Sequence, residues 1–512
     1  MASSYLAPGV YMEEVSSGSR PIEAVGTAVA AFVGFAERGP LHEPVLVTNW
    51  TQFRQNFGDF VEGYYLAHAV YGYFQNGGGT AYVVRVGGGQ ENSDTGNGQA
   101  ALPAAELPAA GAEGRPALTI SARAADAGDL TVEVAPASEE SEDTFKLIVK
   151  QGGQPVETFD NVTTKRGANN VATVVRQQSK LIVVEETKGK ALVAPRHGEI
   201  ALGAPGTSPV KVEANDYVGN SSDRTGFGGL EAIDEITMLA VPDLMAAYQR
   251  GVLSAEDVKA VQLAMIAHCE LMADRVAILD TPPGLKAQEV KEWRMDVTGY
   301  DSKYATMYWP WIKVADPVAG KQAFVPPSGH MAGIWARNDS TRGVHKAPAN
   351  EVVRGAVTLE LNITKGEHDT LNPIGVNCIR SFRGQGIRVW GARTLSSDPE
   401  WRYLNVRRLF NYVEKSILQG TNWVVFEPND PKLWDSVKRT VTMFLRRVWR
   451  DGALFGKTPA QAFFVKCDEE NNPPENRDAG ILTVEIGIAP VKPAEFVVFR
   501  ISQFAEGAGL EE

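Results

Sequence analysis

Cysteine is nearly missing from this 512-residue chain: Cys269, Cys378 and Cys467 lie far apart and form no CxxC pair. That excludes a disulfide framework and a cysteine-rich zinc module, and it fits a reducing compartment. No apolar run reaches the ~20 residues that a bilayer-spanning helix needs. The opening MASSYLAPGVYMEEV holds neither a basic nor an apolar stretch, so no secretory leader is expected there. Basic charge is the scarcer sign, with 50 Lys and Arg against 62 Asp and Glu and a formal net charge of -12. Tryptophan and methionine are both absent between Trp50 and Met238. What is present is ordinary for a globular protein: 44% of residues are hydrophobic, which excludes a mostly disordered or collagen-like chain. A single core stops growing at roughly 250–300 residues, so two or three domains are expected.

The stretch without Trp and Met marks the organisation. Residues 89–222 open on a glycine triplet and a polar run, and close on Gly219-Asn-Ser-Ser222. Inside lie short alternating segments such as 130–134, 145–149 and 181–184, divided by Gly, Pro and Asn. This predicts a small β-rich domain inserted into a larger one. Before it, residues 25–35 and 81–86 read as strands and 64–74 as a helix. After it, strand 237–241, helix 254–273 with Ser254 as its N-cap, and strand 275–279 suggest a βαβ unit. From about residue 371 the pattern gives a strand at 387–390, helices at 404–418 and 434–450, and strands at 481–488 and 495–501. The fold class expected is mixed α/β: a core split into 21–88 and 223–370, the insertion, an α+β part at 371–489, and terminal segments 1–20 and 490–512.

Enzymatic motifs do not hold up. Gly452-Ala-Leu-Phe-Gly456-Lys457-Thr458 has one residue too few between its glycines for a phosphate loop, follows a helix, and is preceded by Asp451. Asp243 and Asp280 end two expected parallel strands, where catalytic acids often sit, but no nucleophile–base pair accompanies them. Pro326-Pro-Ser-Gly-His330 lacks the first glycine of a nucleophile elbow. His268-Cys269 and Glu367-His368-Asp369 do not have metal-site spacing. No catalytic, cofactor or metal site is expected.

Two features remain. Residues 371–460 hold fifteen Lys and Arg against seven Asp and Glu. Within the second helix, Val437, Val441, Phe444 and Val448 follow the period of one apolar face. Opposite them Arg439, Arg446 and Arg450 fall in a narrow arc, with Arg447 beside it. A solvated face and a docking strip for acidic protein or nucleic acid both fit. The second feature is terminal. Gly9, Val10, Tyr11, Met12, Glu13, Glu14 and Val15 form a strand-like segment on a Ser/Gly tether. Glu495, Phe496, Val497, Val498, Phe499, Arg500 and Ile501 form another, set off by Pro490 and Pro493. Each can pair within its own subunit or be donated to a neighbour's sheet edge, and donation that does not close gives an open polymer.

Four long segments resemble the sheath protein of contractile phage tails and related contractile injection systems. They are YLAPGVYMEEVSSGSRPIEAVGTAVAAFVGFAERGP (5–40), VPPSGHMAGIWARNDSTRGVHKAPAN (325–350), VWGARTLSSDPEWRYLNVRRLFNYVEKSI (389–417) and FFVKCDEENNPPENRDAGILTVEIGIAPVKPAEFVVFRI (463–501), in the family's order. The insertion carries no such resemblance. The resemblance implies a helical sheath around a rigid inner tube, with arms that reach into neighbouring subunits and complete an interlocked sheet. The arms then correspond to Gly9 through Val15 and Glu495 through Ile501, with hinges at 16–20 and 490–493. It also implies a C-terminal domain that faces the tube largely through charge, which assigns that contact to Arg439, Arg446, Arg447 and Arg450. Implied partners are further copies of the chain, an inner tube protein, and baseplate and cap proteins. Nucleic acid, cofactor and membrane insertion are not expected. The particle implied is a phage-tail-like injection system assembled in the bacterial cytoplasm, with a true phage tail as the alternative. An α/β hydrolase and a surface glycan-binding module are the rival classes.

Overall fold

The computed structural model describes residues 21–87, 104–108, 116–123, 130–138, 144–165, 167, 169–186, 194–202, 212–316 and 320–500. They divide into two compact units, one formed by the chain before Gly87 and after Val212, the other by Gly87–Val212.

The first unit is built on an eight-stranded sheet. Its strands are β1 (Val29–Gly34), β2 (Pro44–Val47), β3 (Thr80–Arg85), β4 (Met238–Ala240), β5 (Val276–Asp280), β6 (Ala305–Trp309), β7 (Val376–Phe382) and β8 (Gly386–Val389). Their order is β8-β7-β6-β5-β4-β1-β3-β2. The six inner strands run parallel, and β2 and β8 close the edges antiparallel. Strands β4, β5 and β6 are buried along their whole length, as continuous apolar strands in a parallel sheet covered on both faces should be.

The βαβ expectation is met at β4 and β5, which pair in parallel across helix Ala255–Met272. Ser254 caps that helix: its hydroxyl accepts from the Asp257 N–H at 3.2 Å, and the Asp257 carboxylate accepts from the Ser254 N–H at 2.8 Å. Helices Leu66–Asn76 and Ser328–Arg342 approach closely because glycines line the contact. A Cβ on Gly72 would lie 2.3 Å from the His330 ring, and one on Gly329 would lie 2.4 Å from the Ala69 backbone. The segment 326–330 is therefore the tightly packed start of a helix.

Two boundaries differ from the sequence reading. Residues 213–222, read as the end of the insertion, belong to the first unit; Tyr217 is buried there and donates to the Asp243 carbonyl at 3.1 Å. Residues 376–389, read as the start of the C-terminal part with a strand only at 387–390, form β7 and β8 and complete the central sheet. Composition shifts near 371, but hydrogen bonding to β6 decides where the body ends. The C-terminal part proper packs helices Leu404–Gly420 and Pro431–Arg450 with a hairpin of Phe463–Lys466 and Glu485–Ile488 around one apolar cluster.

The second unit contains a four-stranded sheet, ordered Gly198–Ala201, Leu130–Pro136, Thr144–Gln151, Gln154–Thr163, and a three-stranded sheet of Ala104–Pro108, Pro116–Ala122 and Ile182–Glu186. Alternate residues of its strands, among them Val132, Leu147 and Val184, point into a shared core with helix Val171–Gln178. The strict period of two is what makes these short segments legible as strands.

Candidate assembly surfaces

The basic helix Pro431–Arg450 begins where Asp430 accepts the Leu433 N–H at 2.8 Å and Pro431 takes the first turn. Leu433, Trp434, Val437, Val441, Phe444 and Val448 are buried against the C-terminal cluster. Arg439, Arg446, Arg447 and Arg450 are all exposed, and none makes an ion pair among the described residues. Lys432 and Lys438 extend the exposed basic face along the helix. The remaining basic residues of 371–460 are less of a surface than their number implies. Arg393, Arg407, Arg408 and Lys415 are buried, and each forms an ion pair inside the unit. The net charge of this stretch thus overstates its exposed positive charge.

The C-terminal segment is not a strand within its own subunit. Residues 491–500 have no regular structure, and no strand among the described residues pairs with them. Its root is nonetheless fixed. The Phe455 N–H donates to the Ala489 carbonyl at 2.8 Å, and the Val491 N–H donates to the Ala453 carbonyl at 3.2 Å. Asn405 donates to the Val491 carbonyl at 3.1 Å. Glu495 is gripped by Arg393 through two hydrogen bonds of 2.8 and 2.6 Å, by Asn372 at 2.8 Å and by the Tyr403 hydroxyl at 3.1 Å. Burial raises its carboxyl, but these donors more than offset that and hold it below its ordinary value. Immediately beyond, Phe496, Val497, Val498 and Phe499 are 73%, 67%, 77% and 84% exposed. Four consecutive apolar residues give an extended strand two apolar faces, a pattern that suits a strand covered on both sides.

The N-terminal candidates Gly9, Val10, Tyr11, Met12, Glu13, Glu14 and Val15 lie outside the described residues, as does Ile501. The chain that follows the first set is anchored. Ile22 is buried in the C-terminal cluster, and the Val25 N–H donates to the Ser416 hydroxyl at 3.2 Å. Thr27 donates to Asp339 at 2.7 Å.

The two strand-end carboxylates are helix caps. Asp243 accepts the N–H groups of Phe35 at 2.7 Å and Leu66 at 3.2 Å, and that of Tyr65 as well, at the start of helix Leu66–Asn76. Asp280 accepts the Ser328 N–H at 3.0 Å and its hydroxyl at 2.6 Å, at the start of helix Ser328–Arg342. Burial pushes Asp243 up to about 6 and Asp280 up to about 7, against the pull of these donors. Asp243 sits between β1 and β4, where the strand order reverses and an α/β protein would open a ligand crevice; here its side chain fills that place. Glu367 is likewise a cap, paired with Thr364. Sequence reasoning missed the partners of Glu495, and no local signal could have found them, since Arg393 lies 102 positions away. No helix among the described residues is long and apolar enough to cross a membrane.

Comparison with known proteins agrees along the chain. The phage tail sheath protein central domain matches residues 211–395, and the phage tail sheath C-terminal domain matches residues 396–504. The tail sheath protein of Burkholderia phage BcepMu is 26% identical over 521 residues, covering 98% of this chain and 97% of that protein. The tail sheath protein of Vibrio phage KVP40 is 25% identical over 250 residues; that match covers 46% of this chain and only 36% of the longer relative. Among solved structures, the contracted-state sheath complex of the extracellular contractile injection system PVC shares the fold, with a TM-score of 0.58 at 22% identity and 99% of each chain covered. The two matched domains together take in more than half of the sequence, and the chain belongs to the phage tail sheath protein family.

Proposed function

We propose that this chain is the structural subunit of a contractile sheath. It polymerises helically around an inner tube and shortens from an extended, metastable state to drive that tube through a target envelope. The observation that carries the reading is the exposed Phe496-Val-Val-Phe499 segment on an anchored root, in a chain of the sheath family. A strand that finds no edge among the described residues must leave backbone groups unpaired or add to a neighbour's sheet. The same donation repeated from copy to copy, without closure, builds a helix. The segment Gly9 through Val15 is the second arm in this reading, and the exposed strip of Arg439, Arg446, Arg447 and Arg450 faces the tube. Contacts to the tube have to break on contraction, and exposed charge pairs, at about 0–1 kcal/mol each, suit that need. Each subunit swings as a nearly rigid body, so packing between subunits changes while the fold does not. The energy is stored at assembly, and the reading calls for no nucleotide and no catalytic site. Partners are a tube, a baseplate and a cap, in a phage-tail-like particle assembled in the bacterial cytoplasm.

Negative-stain electron microscopy of the purified protein tests this directly. Hollow tubes are expected from the full chain, and none from chains lacking residues 1–20 or 496–512, both of which remain folded. A full-length chain that stays monomeric at high concentration, or a truncated one that still forms tubes, overturns strand donation.

A further inference from the structure

We propose that Glu495 is the mechanical anchor of the C-terminal arm, passing tension from the arm into the central sheet through Arg393, so that the arm flexes beyond Glu495 and not at 490–493. The proposal rests on the reading of residues 496–500 as a donated strand, and it assigns a task to Arg393 and Asn372, which the sequence left unassigned.

The path is continuous in hydrogen bonds. Glu495 takes Arg393 bidentately, at 2.8 and 2.6 Å, in the geometry that resists both sliding and rotation of a carboxylate. The Arg393 guanidinium also donates to the Asn372 carbonyl at 3.2 Å, while the Asn372 amide returns to Glu495 at 2.8 Å, closing a ring of three residues. The Arg393 backbone is fastened in turn to two neighbouring strands. Its carbonyl accepts from Thr306 of β6 and Asn377 of β7, each at 2.9 Å, and its N–H donates to the Asn377 carboxamide oxygen at 2.7 Å. Asn377 and Thr306 are themselves joined at 2.7 Å. All three of these residues are buried.

The alternative route for tension runs through the hairpin of the C-terminal part, and it is weaker. Upstream of Glu495, residues 489–491 are held to 453–455 and 462 by single backbone hydrogen bonds of 2.8 to 3.2 Å, with one side-chain bond from Asn405 to the Val491 carbonyl at 3.1 Å. Such bonds break one at a time under a pull along the chain. The ring around Glu495 must fail together, and breaking it strands a buried guanidinium. The anchor also crosses between regions: Glu495 lies in the segment matched by the family's C-terminal domain, and Asn372, Thr306, Asn377 and Arg393 lie in the segment matched by its central domain. A pull on the arm therefore reaches the central sheet without loading the small hairpin.

Three variants test this: Glu495→Ala, Glu495→Gln and a chain ending at Glu495. In unassembled subunits, amide exchange over residues 491–495 is expected to speed up roughly a hundredfold in E495A and less in E495Q, which keeps an acceptor for Arg393. In micrographs of contracted sheaths, E495A is expected to give fragments several-fold shorter than wild type, with E495Q between the two. A folded E495A chain that cannot polymerise also supports the anchor, provided that E495Q restores assembly; if E495A does not fold, E495Q alone decides. Wild-type exchange over 491–495 in E495A, or contracted sheaths of wild-type length, overturns the proposal. The truncated chain separates the two ideas: if it polymerises, the donated strand itself is wrong, whatever E495A does.

Discussion

Arg408 grips Asp339 bidentately, at 2.9 and 2.6 Å, with both side chains buried and the Arg408 guanidinium 4.8 Å over the Trp335 ring. The pair joins helix Leu404–Gly420 to helix Ser328–Arg342, and Thr27 completes it by donating to Asp339 and accepting from Arg408 at 3.0 Å. A second, partly buried pair, Lys415 with Asp274 at 2.6 Å, sits two turns further along the same helix. Two such ties on one helix oppose hinging between the central and C-terminal parts, which favours motion of the unit as one body.

Removing one partner of this pair leaves the other charged and buried, at a cost of about 3–5 kcal/mol. Arg408→Ala is accordingly expected to lower the unfolding free energy by that amount in urea titrations of the unassembled subunit. Arg439→Ala, on the exposed helix face, is expected to change it by less than about 0.5 kcal/mol. Equal effects of the two would mean that the Arg408 pair does not tie the helix down.

The buried caps make a pH prediction whose sign is fixed. An Asp in an unfolded chain titrates near ~3.9, whereas folding moves Asp243 to about 6 and Asp280 to about 7. Their protonated forms contribute stability that is complete below about pH 4 and is lost as the pH rises to about 7. Two buried histidines act in the opposite direction: burial holds His330 down to about 3 and His268 to about 4, so mild acid destabilises through them. A single substitution separates the two effects. Asp280→Asn keeps an acceptor for the Ser328 N–H and removes the titration. Its stability deficit relative to wild type is expected to be larger at about pH 5 than at about pH 8, by roughly 1–3 kcal/mol. Equal deficits at the two pH values, in urea midpoints, would show that Asp280 stays ionised when folded.

Period and punctuation carried the parts of the fold that the sequence made legible. Ser254 followed by Asp257 marks a helix start wherever it sits, and alternation in 130–134 and 145–149 marks strands without reference to neighbours. What escaped was non-local. Tyr217 looks like the tail of a loop until its hydroxyl is seen on the Asp243 carbonyl. Glu495 reads as the first residue of a strand, and only Arg393, a hundred positions upstream, makes it a fixed point. Charge counting failed in the same way: Arg407 and Arg408 were counted with Arg446 and Arg447, though the first two are buried in ion pairs and the second two face solvent.

The exposed strip gives a prediction about assembly. Arg439, Arg446 and Arg450 share one face of a helix whose opposite face is buried, so reversing all three to Glu leaves the core untouched. Stability is expected to stay within about 1 kcal/mol of wild type, and tube formation by the protein alone is expected to persist. Co-assembly with an inner tube is expected to fall, with a steeper loss at low salt, where charge acts over a longer range. Unchanged co-assembly, measured by cosedimentation with preformed tubes, would place the tube contact on another surface.

The inserted unit offers the sharpest test of where the body ends. Gly87–Val212 has its own core, made from two sheets and one helix, and among the described residues no strand of the central sheet comes from it. Replacing residues 88–212 with a short Gly/Ser linker is expected to leave the central sheet folded and tube formation intact. Extending the same deletion to residue 222 removes Tyr217, which is buried on Asp243, together with the whole of helix Ala214–Val218. Losing a large buried side chain costs about 3–5 kcal/mol. The longer deletion is therefore expected to melt well below the shorter one in thermal unfolding, even though the two differ by only ten residues. Should both deletions melt alike and assemble alike, residues 213–222 would be part of the insertion after all. Should the shorter deletion abolish tubes while its circular dichroism stays native-like, the inserted unit would itself be part of the lattice.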